Sequence, residues 1–309
     1  MANFAIFNYQ FDKIIEQEKQ YELECMSDVK MSADEAFTKK QEIFGRFLQQ
    51  DYAKRTIHFK NDHGPKEFIH RHLMKPVDNI VIMRIANRKT QKIVDENLKE
   101  KKIDDYQNCI VMIDNSEGIQ RILIENRKQA FNDVKQVANI MTYTFNRLLR
   151  QYGLKIRLEH LKDDRVFWQF VKDKVSYPKG FHKVCFHLPY PNLERLKKTY
   201  DRMFNQARES FDTGIDLSFV ASEGGQVRLD KKDSYQRETI GWLMNDAGAD
   251  VTLYPNTSKK TPIYVGNNSY RTVTISDFVI KNVDKDDLFG TRALDEVKNK
   301  LNTGIDHKK

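Results

Sequence analysis

Residues 80–125 read IVIMRIANRKTQKIVDENLKEKKIDDYQNCIVMIDNSEGIQRILIE. Three stretches in it are rich in aliphatic and β-branched residues: 80–86 (IVIMRIA), 109–114 (CIVMID) and 119–125 (IQRILIE). Each is short enough, and apolar enough, for a buried strand. The last two are joined by Asn115-Ser116-Glu117-Gly118, a four-residue turn closing on glycine, which is a hairpin signal. Between the first two, 87–102 (NRKTQKIVDENLKEKK) reads as a charged helix with a thin stripe at Ile93, Val94 and Leu98.

Downstream, Phe131, Val134, Val137, Ala138, Met141, Phe145, Leu148, Leu149 and Tyr152 recur at steps of three and four, the signature of a helix with one apolar face. Gly153 stands where that helix should stop. Residues 154–158 (LKIRL) alternate strictly and predict a half-buried strand. The expected order is strand, helix, strand, strand, helix, strand.

The same order recurs further on, marked by a second Ser-Glu-Gly in 220–232 (VASEGGQVRLDKK). Residues 183–188 (KVCFHL) predict a strand, and Leu193, Leu196, Tyr200, Met203, Phe204 and Ala207 predict a helix. Strands at 215–221 and 227–229 flank the turn. A helix capped by Asp233 or Ser234 carries Ile240, Leu243, Met244 and Ala247 and stops at Gly248, and a strand at 250–254 closes the set.

Six elements in one order, twice, point to an α+β chain with two tandem ferredoxin-like (βαββαβ) units. The predicted organisation is an N-terminal α/β extension (1–78), a first unit (79–162), a connector helix (163–179), a second unit (180–256) and a C-terminal β-hairpin plus helix (257–309). Within the flanks, a strand is expected at 3–11, a helix at about 34–50, two strands in 261–283 and a helix in 286–302. Phe167-Trp168-Gln169-Phe170 and Trp242 have the spacing of core anchors.

The topology resembles that of the RNA-recognition motif and of the duplicated ferredoxin-like modules in CRISPR RNA-processing proteins. That resemblance implies RNA bound on a sheet face. The aromatic residues that such sheets place on central strands are absent from IQRILIE and QVRLD, and so is a glycine-rich loop.

Charge points the same way. There are 52 basic and 44 acidic side chains, a formal charge of +8, and an excess of this kind favours an anionic partner. Strand alternation puts Arg121, Leu123 and Glu125 on one face with Lys155 and Arg157, and Arg84 joins them. Arg127, Lys128, Arg147 and Arg150 lie nearby. These eight basic residues form the expected nucleic-acid interface, on a face left open by the helices. The competing expectation is that these faces pack against each other or against the flanking segments.

The leading expectation is therefore a non-catalytic, cytoplasmic protein that binds RNA or single-stranded DNA. Two alternatives come from other classes. One is a metal-independent RNA-cleaving enzyme centred on His182 or His187, with a histidine as general base. The other is an oligomeric interaction subunit of a multi-protein system, of which phage defence is one example. Asp114 and Glu125 invite a metal-nuclease reading, but a hairpin turning at 115–118 holds them too far apart.

His58, His63, His70 and His72 cluster in sequence with ligand-like spacing. No acidic or cysteine partner recurs beside them, and structural or solvated histidines are expected. No metal and no cofactor are assigned. Cys25, Cys109 and Cys185 are too scattered for a disulfide framework or zinc cluster and read as buried thiols. The opening MANFAIFNYQFDK has no basic leader before an apolar stretch, so no signal peptide is expected, and no membrane association is expected.

Overall fold

The computed structural model describes residues 1–14, 31–62, 64, 66–94, 96, 99–188, 215–246, 248–256, 261–265 and 271–302. The chain divides into two compact units: Met1–Leu158 with Thr272–Lys309, and Glu159–Arg271. The second is thus inserted between two segments of the first. The structure is mixed α+β, with strands mostly antiparallel. Among the described residues, no helix is long and apolar enough to cross a membrane.

The first unit is built on an eight-stranded sheet. Its strands are β1 (Ala2–Lys13), β2 (Phe59–Lys60), β3 (Glu67–His72), β4 (Ile80–Val94), β5 (Glu100–Asp114), β6 (Arg121–Glu125), β7 (Leu154–His160) and β12 (Thr272–Ile275). They run in the order β12-β1-β6-β5-β4-β3-β2, with β7 also paired to β1. The helices are α1 (Ala33–Thr38), α2 (Lys40–Lys54), α3 (Val134–Leu149), α6 (Asp277–Asn282) and α7 (Leu288–Leu301).

One sheet face is closed by α2 and α3. Phe44 of α2 meets Phe145 of α3 with ring centroids 4.9 Å apart, and Tyr9 and Phe11 of β1 pack edge-on against Phe44. The Tyr9 hydroxyl, buried in this cluster, donates to Asn115 Oδ1 at 2.8 Å. The opposite face is covered in part by the C-terminal helices, with α7 lying against β12 and β6. A buried arginine marks this packing. Arg121 donates from Nη1 to the Leu301 carbonyl at 2.7 Å and from Nε to Asn8 Oδ1 at 3.2 Å.

The second unit has a four-stranded sheet ordered β11-β10-β8-β9. Its strands are β8 (Phe181–Leu188), β9 (Ile215–Val220), β10 (Asp250–Pro255) and β11 (Ile263–Val265). Helices α4 (Asp164–Lys172) and α5 (Ser234–Gly241) belong to it, and α5 runs on into a wider turn at Trp242–Asp246. Phe167, Trp168, Phe186, Leu243, Met244 and Leu253 are among its core residues, all at most 1% exposed. The anchors read from Phe167-Trp168 therefore do lie in a core.

Several predicted elements differ. The charged helix expected over 87–102 does not form, because residues 87–94 belong to β4 and 100–102 to β5, which pair in unbroken register from Ile80↔Asp114 to Val94↔Glu100. The order β4-β5-β6 is a simple meander, whereas a βαββαβ unit would place its first strand between its third and fourth. In the second unit β8 pairs directly and antiparallel with β9, and 227–229 is not a strand. The helix expected around 193–207 lies outside the described residues. The expected C-terminal hairpin is also replaced: β11 pairs with β10 and β12 with β1, and Ser276 ends the strand where α6 begins.

Both Ser-Glu-Gly segments do form turns. Gly118 has φ +76° and Gly224 φ +72°, the left-handed region where a side chain costs energy. Only the first turn is followed by a strand.

Candidate functional site

The most developed side-chain constellation lies at the end of β3 that runs beyond its pairing with β2. Helix α2 ends at Lys54, and Arg55 adopts a left-handed conformation (φ 49°) that turns the chain back on itself. The Arg55 N–H closes onto the Asp51 carbonyl at 2.8 Å. That reversal brings the Ile57 N–H to Asp51 Oδ1 at 2.7 Å and leaves Oδ2 facing β3.

On β3 the side chains alternate, so His70 and His72 point the same way as the buried Phe68, toward the helices. Nε2 of His70 lies 2.6 Å, and Nε2 of His72 2.7 Å, from that one Asp51 oxygen. The Asp51 side chain is fully buried, and those of His70 and His72 are 7% and 5% exposed. Phe59 packs edge-on against His70 at 4.9 Å and Tyr52 against His72 at 5.7 Å. Burial alone would raise the Asp51 pKa. The hydrogen bonds from the two imidazoles and the Ile57 amide outweigh it and hold the carboxyl well below the usual carboxylate range.

A cleft of about 920 Å³ opens on this cluster. Arg55, Arg71 and Lys75 line it from the α2–β3 side, and Lys285, Asp284, Asp286 and Asp287 from the α6–α7 connection. Sequence reasoning saw the His70-x-His72 spacing but missed Asp51. The carboxylate comes from a helix end 19 residues upstream of His70, a proximity that only the turn at Arg55 creates.

The predicted basic interface is split. Arg84, Arg127 and Lys128 are exposed, and Arg84 and Arg127 share a depression of about 510 Å³ with Asn108, Ile110 and Glu125. Arg121 is fully buried beneath the end of α7, so the face expected to be open is closed there. Arg157 is half-buried and paired with Asp12 at 2.9 Å, and Lys155 is half-buried. Arg147 and Arg150 are exposed, on α3 and in the turn after it.

Strand register locates a second feature on the face of β3, β4 and β5 that carries Arg84. Arg71 of β3 stands directly opposite Arg84 of β4, and both are exposed. Among the described residues neither forms an ion pair. The same face carries Ile110 opposite Arg84, Asn108 opposite Ala86, and Tyr106 opposite Arg88. Tyr106 is 43% exposed. Two like charges directly across a ladder are ordinarily unfavourable.

Asp114 and Glu125 are not brought together. Asp114 pairs with Arg121, and Val111 with Ile124, so Glu125 sits beside Ile110, four residues along, or roughly 13 Å away at strand rise.

In the second unit His187 Nδ1 lies 2.9 Å from Asp216 Oδ1 and its Nε2 2.8 Å from Thr252 Oγ1. Cys185 Sγ is 3.7 Å from the same Nδ1. Both ring nitrogens are engaged, one by a carboxylate and the other by a hydroxyl. His182 Nδ1 is 3.2 Å from the Pro255 carbonyl. Comparison with known proteins finds no matching family model, no matching curated protein and no matching solved structure.

Proposed function

We propose that the protein binds single-stranded nucleic acid, RNA or DNA, along the β3–β5 face of its first unit. The observation that carries this reading is the Arg71–Arg84 pair. Two exposed guanidinium groups are held side by side by strand register without an ion-pair partner among the described residues. A phosphate between them would convert mutual repulsion into two charge-assisted contacts. Arg127 extends the positive surface beyond Arg84.

Tyr106 supports a single strand over a duplex. It is an exposed ring on the same face, one turn of the pleat beyond Asn108, and aromatic platforms beside a basic track suit unpaired bases. The formal charge of +8 agrees with an anionic partner.

Fluorescence anisotropy of labelled single-stranded RNA and DNA, read across a salt series, tests the proposal. Replacing both arginines (R71Q with R84Q) should reduce the slope of log K against log salt by about 0.7, the contribution of the one phosphate they share on a single strand. Tyr106→Ala should weaken binding by about 1–3 kcal/mol, the usual value of one stacked base. Without nucleic acid the double variant should be as stable as the parent or slightly more so. Absence of binding at low salt, or an unchanged slope in the double variant, would overturn the reading.

A further inference from the structure

We infer that Asp51, His70 and His72 form a site for one divalent transition-metal ion, with zinc the natural probe. The donor set is two imidazole nitrogens and one carboxylate oxygen, and these three atoms lie within 4.8 Å of one another. Borderline ions such as Zn²⁺, Co²⁺ or Mn²⁺ take mixed nitrogen and oxygen donors, whereas Ca²⁺ and Mg²⁺ favour oxygen alone.

The site is built rather than incidental. Both histidines come from one strand at i and i+2, so their rings leave the same face. The Asp51 carboxylate is oriented by the Ile57 N–H on its other oxygen, as an outer-shell donor orients a ligand. All three side chains are at least nine-tenths buried, while the cleft gives access for a further ligand on the ion.

His72 Nδ1 is buried without a hydrogen-bond partner among the described residues. The two Nε2 atoms crowd one oxygen at 2.6 and 2.7 Å. Around a tetrahedral ion with bonds near 2.0–2.1 Å the donors would sit about 3.3 Å apart. An opening of roughly 0.6 Å, within reach of side-chain adjustment, would admit the ion.

This inference stands apart from nucleic-acid binding, because its test uses metal alone. The full chain, stripped with chelator and dialysed, is titrated with Zn²⁺ by calorimetry and with Co²⁺ by visible absorption. One ion per chain is expected. His72→Gln and Asp51→Asn should each weaken binding at least ten-fold, while His187→Gln should leave it unchanged. X-ray absorption at the zinc edge of the unmodified protein covers the case in which a variant fails to fold. It should show a nitrogen and oxygen shell with two imidazoles and no sulfur.

A sulfur scatterer, or loss of binding in His187→Gln, would move the ion to the Cys185–His187–Asp216 cluster and overturn the assignment. Failure to bind one ion per chain would overturn it as well, whatever the nucleic-acid result.

Discussion

At the scale of single residues, burial decides chemistry more than residue type does. Cys109 on β5 is 1% exposed, and its thiol pKa is pushed up to about 12, first by desolvation and then by the neighbouring Glu125 charge, with Arg127 partly opposing. Folding therefore favours the neutral thiol. The unfolded chain loses this proton near the ordinary thiol value of 9.0, so the stability from keeping Cys109 neutral is complete below that pH. It drains away as pH rises from about 9 toward 12, at about 1.4 kcal/mol per pH unit within that window. Chemical denaturation of the parent and of Cys109→Ala at several pH values should show the difference between them shrinking only above about pH 9. Alkylation followed by peptide mass spectrometry at neutral pH should leave Cys109 unmodified until denaturant is added. Rapid native labelling would contradict this picture. The burial of Cys109 was legible from sequence. The partnership of Asp51 with His70 and His72 was not, since it depends on one left-handed residue at Arg55.

At the scale of elements, the misread segment is the most instructive. Residues 87–102 contain many good helix formers, and Ile93, Val94 and Leu98 suggest a thin helical stripe. What selects strand is pairing across a two-stranded ribbon, from Asn87↔Gln107 to Val94↔Glu100. Arg88 meets Asp104 at 3.1 Å, Lys92 meets Glu100 at 2.9 Å, and Thr90 donates to Asp104 at 2.8 Å. Each half of the ribbon thus presents charges that complement the other half, a pattern invisible to a one-segment scan. The outer part, 88–94 with 100–106, extends roughly 25 Å at strand rise and is mostly exposed. Exposed ion pairs contribute little, commonly under about 1 kcal/mol each. Replacing residues 89–105 by Asn-Gly, which keeps Arg88 opposite Tyr106 on a two-residue turn, should consequently shift the melting temperature by only a few degrees. A calorimetric loss of most of the unfolding enthalpy would instead mean that the ribbon supports the sheet. The strand β1 and the helix α7, by contrast, were readable because their apolar patterns are local and continuous. The covering of Arg121 by α7 was not, because it joins residues 180 positions apart.

At the scale of the molecule, a duplicated-unit reading assumed that neighbours in sequence share a domain. The first unit violates this, since β12 returns from the far end of the chain to pair with β1, from Ala2↔Ile275 to Ala5↔Thr272. Residues 159–271 are therefore an insertion with a core of their own. That core is continuous from α4 through β8 and β10 to β11 and includes Phe167, Trp168, Val184, Phe186, Leu243 and Val251. Its buried lysine is satisfied from within the same unit: Lys162, with a side chain 1% exposed, donates to the Gly248 carbonyl at 2.8 Å and to Asp250 Oδ1 at 2.6 Å. A segment that satisfies both its apolar and its buried charged groups internally should fold when excised. Residues 159–271 expressed alone should give one cooperative urea transition, with a slope of about 1–2 kcal/mol per molar for a domain of this size. The fragment should also show dispersed amide resonances and little binding of hydrophobic dye. A broad transition with strong dye binding would show that the insertion borrows its order from the surrounding chain. Because Arg71, Arg84 and Tyr106 all lie outside it, the excised fragment should also lack the nucleic-acid affinity proposed for the whole protein. Retained affinity in the fragment would place the interface in the second unit, beside His187.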